Sequence, residues 1–431
     1  MSLRSVLTCI ALLSTTGWAQ YTLEDDYTKD GNFFNMFSFF TASDPTHGTV
    51  NYVDRDTAQK NGLINFSNGQ AYMGVDYTNK APNGRASVRV TSNKSYNSGL
   101  VILDLAKMPA STCGTWPAFW MVGSNWPNNG EIDIIEGVND QSTNDVTLHT
   151  NSGCSISANT PMTGHVNTPN CDVKAAGQAD NQGCQIATGN TQTYGTGFNN
   201  VGGGVYATEW TSSAINVYFF PRSKIPADIT SGKPNPAGWG SPMAAFSGGC
   251  NIPDHFKNLQ IVFDLTFCGD WAGNVWGNSG CASKASTCQA FVANNPAAFK
   301  DSSWLVNSLK VYQASKSTPS KTTAAKGSDS DSDSESSIIT DANVAPVSPS
   351  PSPVQASSSP VEVSPVPAPA TSVAPAPSKA PATIVTSSGS GVGYSASSPG
   401  TGGHIVTTNT QTSAKVRRLA DQLTALLARA I

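Results

Sequence analysis

In the stretch Asn129-Gly130-Glu131-Ile132-Asp133-Ile134-Ile135-Glu136-Gly137, carboxylates alternate with isoleucines between two glycines. Isoleucine favours strands, and side chains along a strand alternate faces with period two. Glu131 and Asp133 therefore share one face, with Ile132 and Ile134 on the other. Glu136, five positions from Glu131, has the wrong parity for the acidic face. A β-bulge near Ile134-Ile135 would restore it by adding one residue, and bulges commonly re-aim side chains beside active sites.

From Gln20 to about Gln313 the chain reads as short strands punctuated by Gly, Asn and Pro. Leu100-Val101-Ile102-Leu103 and Ile261 to Phe267 are the clearest. In the second, Ile261, Phe263, Leu265 and Phe267 share a face opposite Val262, Asp264 and Thr266; Ala214 to Phe220 alternates less cleanly. Long helical periodicity is absent. Many short strands separated by turn signals predict an all-β, antiparallel β-sandwich, and nearly 300 residues can bury a large core in such a fold.

The ends have a different character. Arg4, the apolar run Val6–Leu13 and the small residues around Gly17-Trp18-Ala19 form a secretory signal over 1–19, too short to span a bilayer. No other stretch approaches about 18 uninterrupted apolar residues, so no transmembrane helix is expected. Residues 316–414 hold an acidic Ser/Asp run at 328–335 and then Ser/Pro/Ala-rich and Ser/Gly-rich segments. That composition cannot bury enough apolar surface to offset chain entropy, which predicts a disordered, O-glycosylated stalk suited to wall attachment. Within 415–431, Val416, Leu419, Leu423, Leu426, Leu427 and Ala430 fall at helical spacing, predicting either a short amphipathic helix or a frayed tail. Asp421, Gln422 and Arg429 interrupt the apolar run that a lipid-anchor signal would need.

Once Cys9 leaves with the signal, eight cysteines remain, all between Cys113 and Cys288. An even number in an exported chain reads as disulfides, and spacing cannot choose among the pairings. No pair has zinc-ligand spacing. Asn65-Phe66-Ser67 and Asn93-Lys94-Ser95 are N-glycosylation sequons. A net charge of −4 with 13% charged residues leaves no basic footprint for nucleic acid. A surface polar through Asn, Ser, Thr and Gly suits a neutral polymer.

Three acids on one strand face have a chemical use. A retaining glycosidase needs two carboxyls about 5–5.5 Å apart, one a nucleophile and one an acid that later acts as base. A third acid between them could hydrogen-bond the first, and its charge would help keep the other protonated. A solvated strand face and calcium ligation are the competing readings of these nine residues.

The flanks favour the first. Glu131, Asp133 and Glu136 form E-x-D-x-x-E, and Gly114-Thr115-Trp116-Pro117-Ala118-Phe119-Trp120 precedes it. With Asp44-Pro45-Thr46-His47-Gly48, Glu209-Trp210 and Phe267-Cys268-Gly269-Asp270-Trp271, these segments resemble glycoside hydrolase family 16, in particular the fungal endo-β-1,3(4)-glucanases or laminarinases, over about residues 21–315. The resemblance implies a jelly roll over 20–315 with an open concave cleft and a β-glucan substrate. It implies Glu131 as nucleophile, Glu136 as acid/base and Asp133 as auxiliary acid. The chemistry calls for no cofactor and no metal; calcium occurs in the family, but no ligand set here demands it. A monomer is expected.

Sugar rings present apolar C–H faces, so exposed aromatics should line the cleft. Trp126, in the turn before the catalytic strand, is the first choice, and Trp271 the second. Of Trp116 and Trp120, one is expected to line the cleft and the other to pack in the core. His149 and Arg89 resemble cleft residues of the family, and Asn51 is a further substrate-binding candidate. Two other functions share this fold. A non-catalytic glucan-binding protein would lose one or both glutamates, and a wall transglycosylase resembles the shorter E-x-D-x-E spacing, against which Ile135 argues. Linkage preference among β-1,3, mixed β-1,3/1,4 and β-1,6-branched glucans depends on loops at the cleft ends.

Overall fold

The computed structural model describes residues 21–315. The expected signal segment, stalk and C-terminal helix lie outside the described residues. Two large antiparallel sheets frame the described residues. We number the strands of the sheet that carries the acids: β1 (Phe37–Phe39), β2 (Arg89–Tyr96), β3 (Thr115–Gly123), β4 (Glu131–Glu136), β5 (Asp145–His149), β6 (His165–Thr168), β7 (Cys184–Ala187) and β8 (Leu259–Phe267). Their order across the sheet is β6-β7-β5-β4-β3-β8-β2-β1, which sets the acidic strand near the middle. The second sheet runs Ala244–Phe246, Ile215–Pro221, Gly204–Trp210, Gly99–Lys107, Trp304–Ala314, Gln70–Met73 and Ile64–Ser67, with Tyr21–Asp26 also paired to Trp304–Ala314. This is the antiparallel sandwich that the strand pattern predicts.

The core lies where the sheets face each other. Phe119, Met121, Ile132, Val146, Leu148, Ile261 and Phe263 from the first sheet join Val101, Leu103, Leu105, Val306, Leu309 and Val311 from the second in one buried cluster. Leu100 and Ile102 point the other way, yet they are buried too, in a separate cluster against which Phe220, Ile225, Ile229 and Trp239 pack. Both faces of that strand are covered, so its apolar run is continuous instead of alternating. The longest α-helix among the described residues is the seven-residue Cys288–Asn294, and no helix there is long and apolar enough to cross a membrane.

All eight remaining cysteines pair: Cys113–Cys281, Cys154–Cys250, Cys171–Cys184 and Cys268–Cys288. Cys113, Cys268, Cys281 and Cys288 pack with Leu265, Phe267, Trp276 and Phe291 in a second apolar cluster, which ties the segment after β8 to the start of β3. The sequon asparagines Asn65 and Asn93 are both exposed.

Candidate active site

Strand β4 carries the expected bulge. Against β5, Asp133 pairs with Thr147 and Glu136 with Asp145, so Ile134 and Ile135 together oppose Val146 alone. Against β3 the register slips over the same residues, Asp133 lying opposite Trp120 and Ile135 opposite Phe119. Ile132, Ile134 and Ile135 are all fully buried. The extra residue returns Glu136 to the face of Glu131 and Asp133, where all three line one open cavity of about 360 Å³. Glu131 and Glu136 also line an adjoining cavity of about 460 Å³.

Each carboxyl is held by its neighbours. The Trp116 indole donates to Glu136 Oε1 at 2.9 Å. Asp133, 2% exposed, faces His149 with Oδ2 3.3 Å from Nε2. Burial pushes Glu131 up to about 8; the Asp133 charge adds to this, while His149 and the Trp126 indole work against it. Burial likewise pushes Asp133 up to about 7, and with the Asp133 charge drives Glu136 well above the usual carboxylate range. Three acids this close, Asp133 buried and the two glutamates half-buried, cannot all ionise. The group as a whole therefore keeps protons at neutral pH. Glu131, Asp133 and His149 also bring two oxygens and a nitrogen within 4.8 Å of one another, a donor set compact enough to take a cation.

The aromatic walls differ from expectation in one respect. Trp116 and Trp120 both line the cavity, with Ala118 and Val122 between and beyond them, and both are half-buried. Four positions apart on one strand, they must share a face, so Phe119 and Met121 supply the core contacts and neither tryptophan does. Trp126 is 42% exposed and lines the smaller cavity. Trp271 lines the larger and meets Trp116 edge to face at 5.6 Å. His149 shares the larger cavity with Asp145 and Thr147. Arg89 lies between the Phe40 and Trp120 rings, 4.9 and 4.8 Å from their centres, while Val88 and Val90 enter the core. Asn51 stands apart. It is exposed on Val50–Tyr52 and lines neither cavity, whereas the next residue, Tyr52, turns inward and donates to Asp264 at 2.8 Å.

Asp264 and Asn181 are among the cleft residues outside the expected set. Asp264 on β8 is buried and accepts from Tyr52 and, at 3.2 Å, from the Trp120 indole. Burial pushes it up to about 6, against the pull of Arg89. Its place opposite Phe263 and Leu265 was visible in the alternation of β8; its partners were not. Asn181 lines both cavities. It holds a left-handed φ of 58° in the loop closed by Cys171–Cys184, and no local sequence pattern marks it.

Residues 37–312 match the family model described as the XgeA-like, catalytic GH16 domain. Among curated proteins, the Endo-1,3(4)-beta-glucanase of Arthroderma benhamiae is 50% identical over 74% of this chain and 70% of its own length. The Endo-1,3(4)-beta-glucanase xgeA of Emericella nidulans is 42% identical over 68% of this chain and 48% of its own, so the chain spans about half of that relative. Among solved structures, GH16 Laminarinase 16A from Phanerochaete chrysosporium, seen with 6-O-glucosyl-laminaritriose in donor and acceptor sites, is 43% identical at a TM-score of 0.65. An elongating GH family 16 beta-1,3-glucosyltransferase is 45% identical at 0.63, and each structure matches 68% of this chain and all of its own. The bulged acidic strand thus sits in a domain of matching sequence and architecture, and the chain belongs to the XgeA-like catalytic group of glycoside hydrolase family 16.

Proposed function

We propose that this protein is a secreted endo-β-1,3(4)-glucanase that cleaves β-1,3 and mixed β-1,3/1,4 glucans with retention. The observation that carries the reading is the bulge in β4, which sets Glu131, Asp133 and Glu136 on one face of a tryptophan-lined cleft. Glu131 is the nucleophile. Its carboxylate bonds to the anomeric carbon as the glycosidic C–O bond breaks, and Glu136 gives its proton to the leaving oxygen. Glu136, now ionised, takes a proton from water as the water attacks the same carbon and releases Glu131. The proton that Glu131 and Asp133 share must pass to Asp133, which then donates it towards Glu131, for the nucleophile to be ionised and hydrogen-bonded. His149 holds Asp133 in that place. Trp126 and Trp271 offer ring faces to the sugar, and Arg89 offers donors to its hydroxyls.

Four disulfides in the described residues and two exposed sequons support export through residues 1–19 and glycosylation at Asn65 and Asn93. In this reading 20–315 is the catalytic domain and 316–431 a tail that holds it near the wall. Glu131→Ser should lose laminarin hydrolysis yet bind laminari-oligosaccharides in calorimetry, because the aromatic walls remain; retained wild-type turnover would overturn the assignment. The similarity to a glucosyltransferase makes product length informative in the same assay. Hydrolysis yields only shorter chains, whereas products longer than the substrate mean that another glucan, and not water, resolves the intermediate.

A further inference from the structure

A bulge solves the parity of Glu136 at a cost: where two residues oppose one, ladder groups lose their strand partners. Buried backbone groups left in that state lose their water without gaining a partner, which destabilises the fold. At this bulge a side chain takes the place of the missing strand. Asn144, fully buried just before β5, donates from Nδ2 to the Ile134 carbonyl at 2.8 Å and accepts at Oδ1 from the Glu136 N–H at 2.9 Å. The amide is therefore clamped across the bulge, one hand on each side of Ile135. Its own backbone is anchored independently. The Asn144 N–H donates to Thr193 Oγ1 at 3.0 Å, and its carbonyl accepts from the Thr188 N–H at 3.2 Å. Thr193 is in turn tied to the second sheet, its carbonyl accepting from the Tyr206 hydroxyl.

We propose that Asn144 is the positioning residue of the acid/base: by spanning the bulge it fixes the backbone from which Glu136 reaches the scissile bond. The inference rests on the reading of Glu136 as acid. Glu136 is then held at both ends, its backbone by Asn144 and its carboxyl by Trp116. An amide carries a donor and an acceptor at this reach whatever the pH. An aspartate at 144 keeps the acceptor for Glu136 N–H but leaves Ile134 C=O facing a carboxylate, and serine or alanine leaves one or both groups empty.

The test compares two substrates that differ in their need for an acid. Laminarin has a poor leaving group and needs the Glu136 proton, whereas a 2,4-dinitrophenyl laminarioligoside leaves almost unaided. Misplacing a catalytic group by about 1 Å costs on the order of 10²-fold. For Asn144→Asp and Asn144→Ala, kcat/KM on laminarin should fall by about 10²-fold, with the aryl substrate within about tenfold of wild type. If Asn144→Ala does not fold, Thr193→Val, which removes the anchor of the clamp, should give the same selective loss on a smaller scale. An equal loss on both substrates, or no loss on either, overturns the proposal. The wild-type arm keeps the two readings apart. Wild-type protein that cleaves neither substrate refutes the glucanase, while wild-type cleavage with a non-selective loss in the variants refutes the clamp alone.

Discussion

Replacing Glu131 by glutamine should make the domain more stable, by an amount that grows with pH. Burial on the cleft floor pushes this carboxyl from its ordinary 4.5 up to about 8. Between those values the folded protein keeps a proton, shared between Glu131 and Asp133, that the unfolded chain releases. The group's contribution to stability is therefore whole below about 4.5 and is lost as pH climbs towards 8. A pKa unit corresponds to about 1.4 kcal/mol, so by pH 7 the mismatch costs the fold up to about 3 kcal/mol, and near pH 4 almost nothing. One edge of Glu131 meets the open cleft, where water screens it, so this figure is a ceiling. Glutamine keeps the shape and has no proton to release. At roughly 2–4 °C per kcal/mol for a domain of this size, Glu131→Gln should melt up to about 10 °C above wild type at pH 7 and within about a degree of it at pH 4. Paired scanning calorimetry from pH 4 to 8 reads this directly. A difference independent of pH, or one that grows in favour of wild type, would refute the account of the site as stability given up for chemistry.

Three further outcomes follow from the same geometry. Trp116→Phe removes the N–H that favours the ionised form of Glu136, so the Glu136 pKa should rise further and the alkaline limb of kcat/KM on laminarin should move to higher pH; a limb that stays or moves down contradicts this. Asp264→Asn removes the charge facing Arg89 and weakens the hold on Trp120, so KM for laminari-oligosaccharides should rise by about tenfold with kcat little changed, whereas an unaltered KM would leave Asp264 a plain core residue. The paired change Cys171→Ser and Cys184→Ser opens the loop that presents Asn181 to both cavities; thermal unfolding should show about 3 kcal/mol lost, with weaker glucan binding in calorimetry, and undiminished affinity would exclude the loop from the site.

The sequence was most informative where function leans on local periodicity. Parity alone called for a bulge at Ile134-Ile135, because no regular strand can aim Glu131 and Glu136 the same way, and the register slips there. The same rule, applied to Trp116 and Trp120, would have placed both in the cleft; the expectation of one in the core ignored their even spacing. The eight cysteines were legible as disulfides but not as pairs, since Cys113–Cys281 closes 168 residues of chain and Cys268–Cys288 only 20. Spacing carries no information about which loops the sheets bring together.

Long-range polar partners were the least legible, for a physical reason that the bulge makes plain. Periodicity reports which face a side chain takes, and a break in it reports that something irregular must occur. It says nothing about what satisfies the groups the irregularity exposes. The Ile134 carbonyl and the Glu136 N–H find their partner ten and eight residues on, in an asparagine whose only local mark is to precede a strand. Asp264 shows the same asymmetry. Its face was evident from Phe263 and Leu265, yet the hydroxyl and indole that make a buried carboxylate tolerable come from 212 and 144 positions away. A buried polar residue on the functional face of a strand is thus a demand for partners that the sequence states without naming them, and in this protein such demands surround the acids on every side.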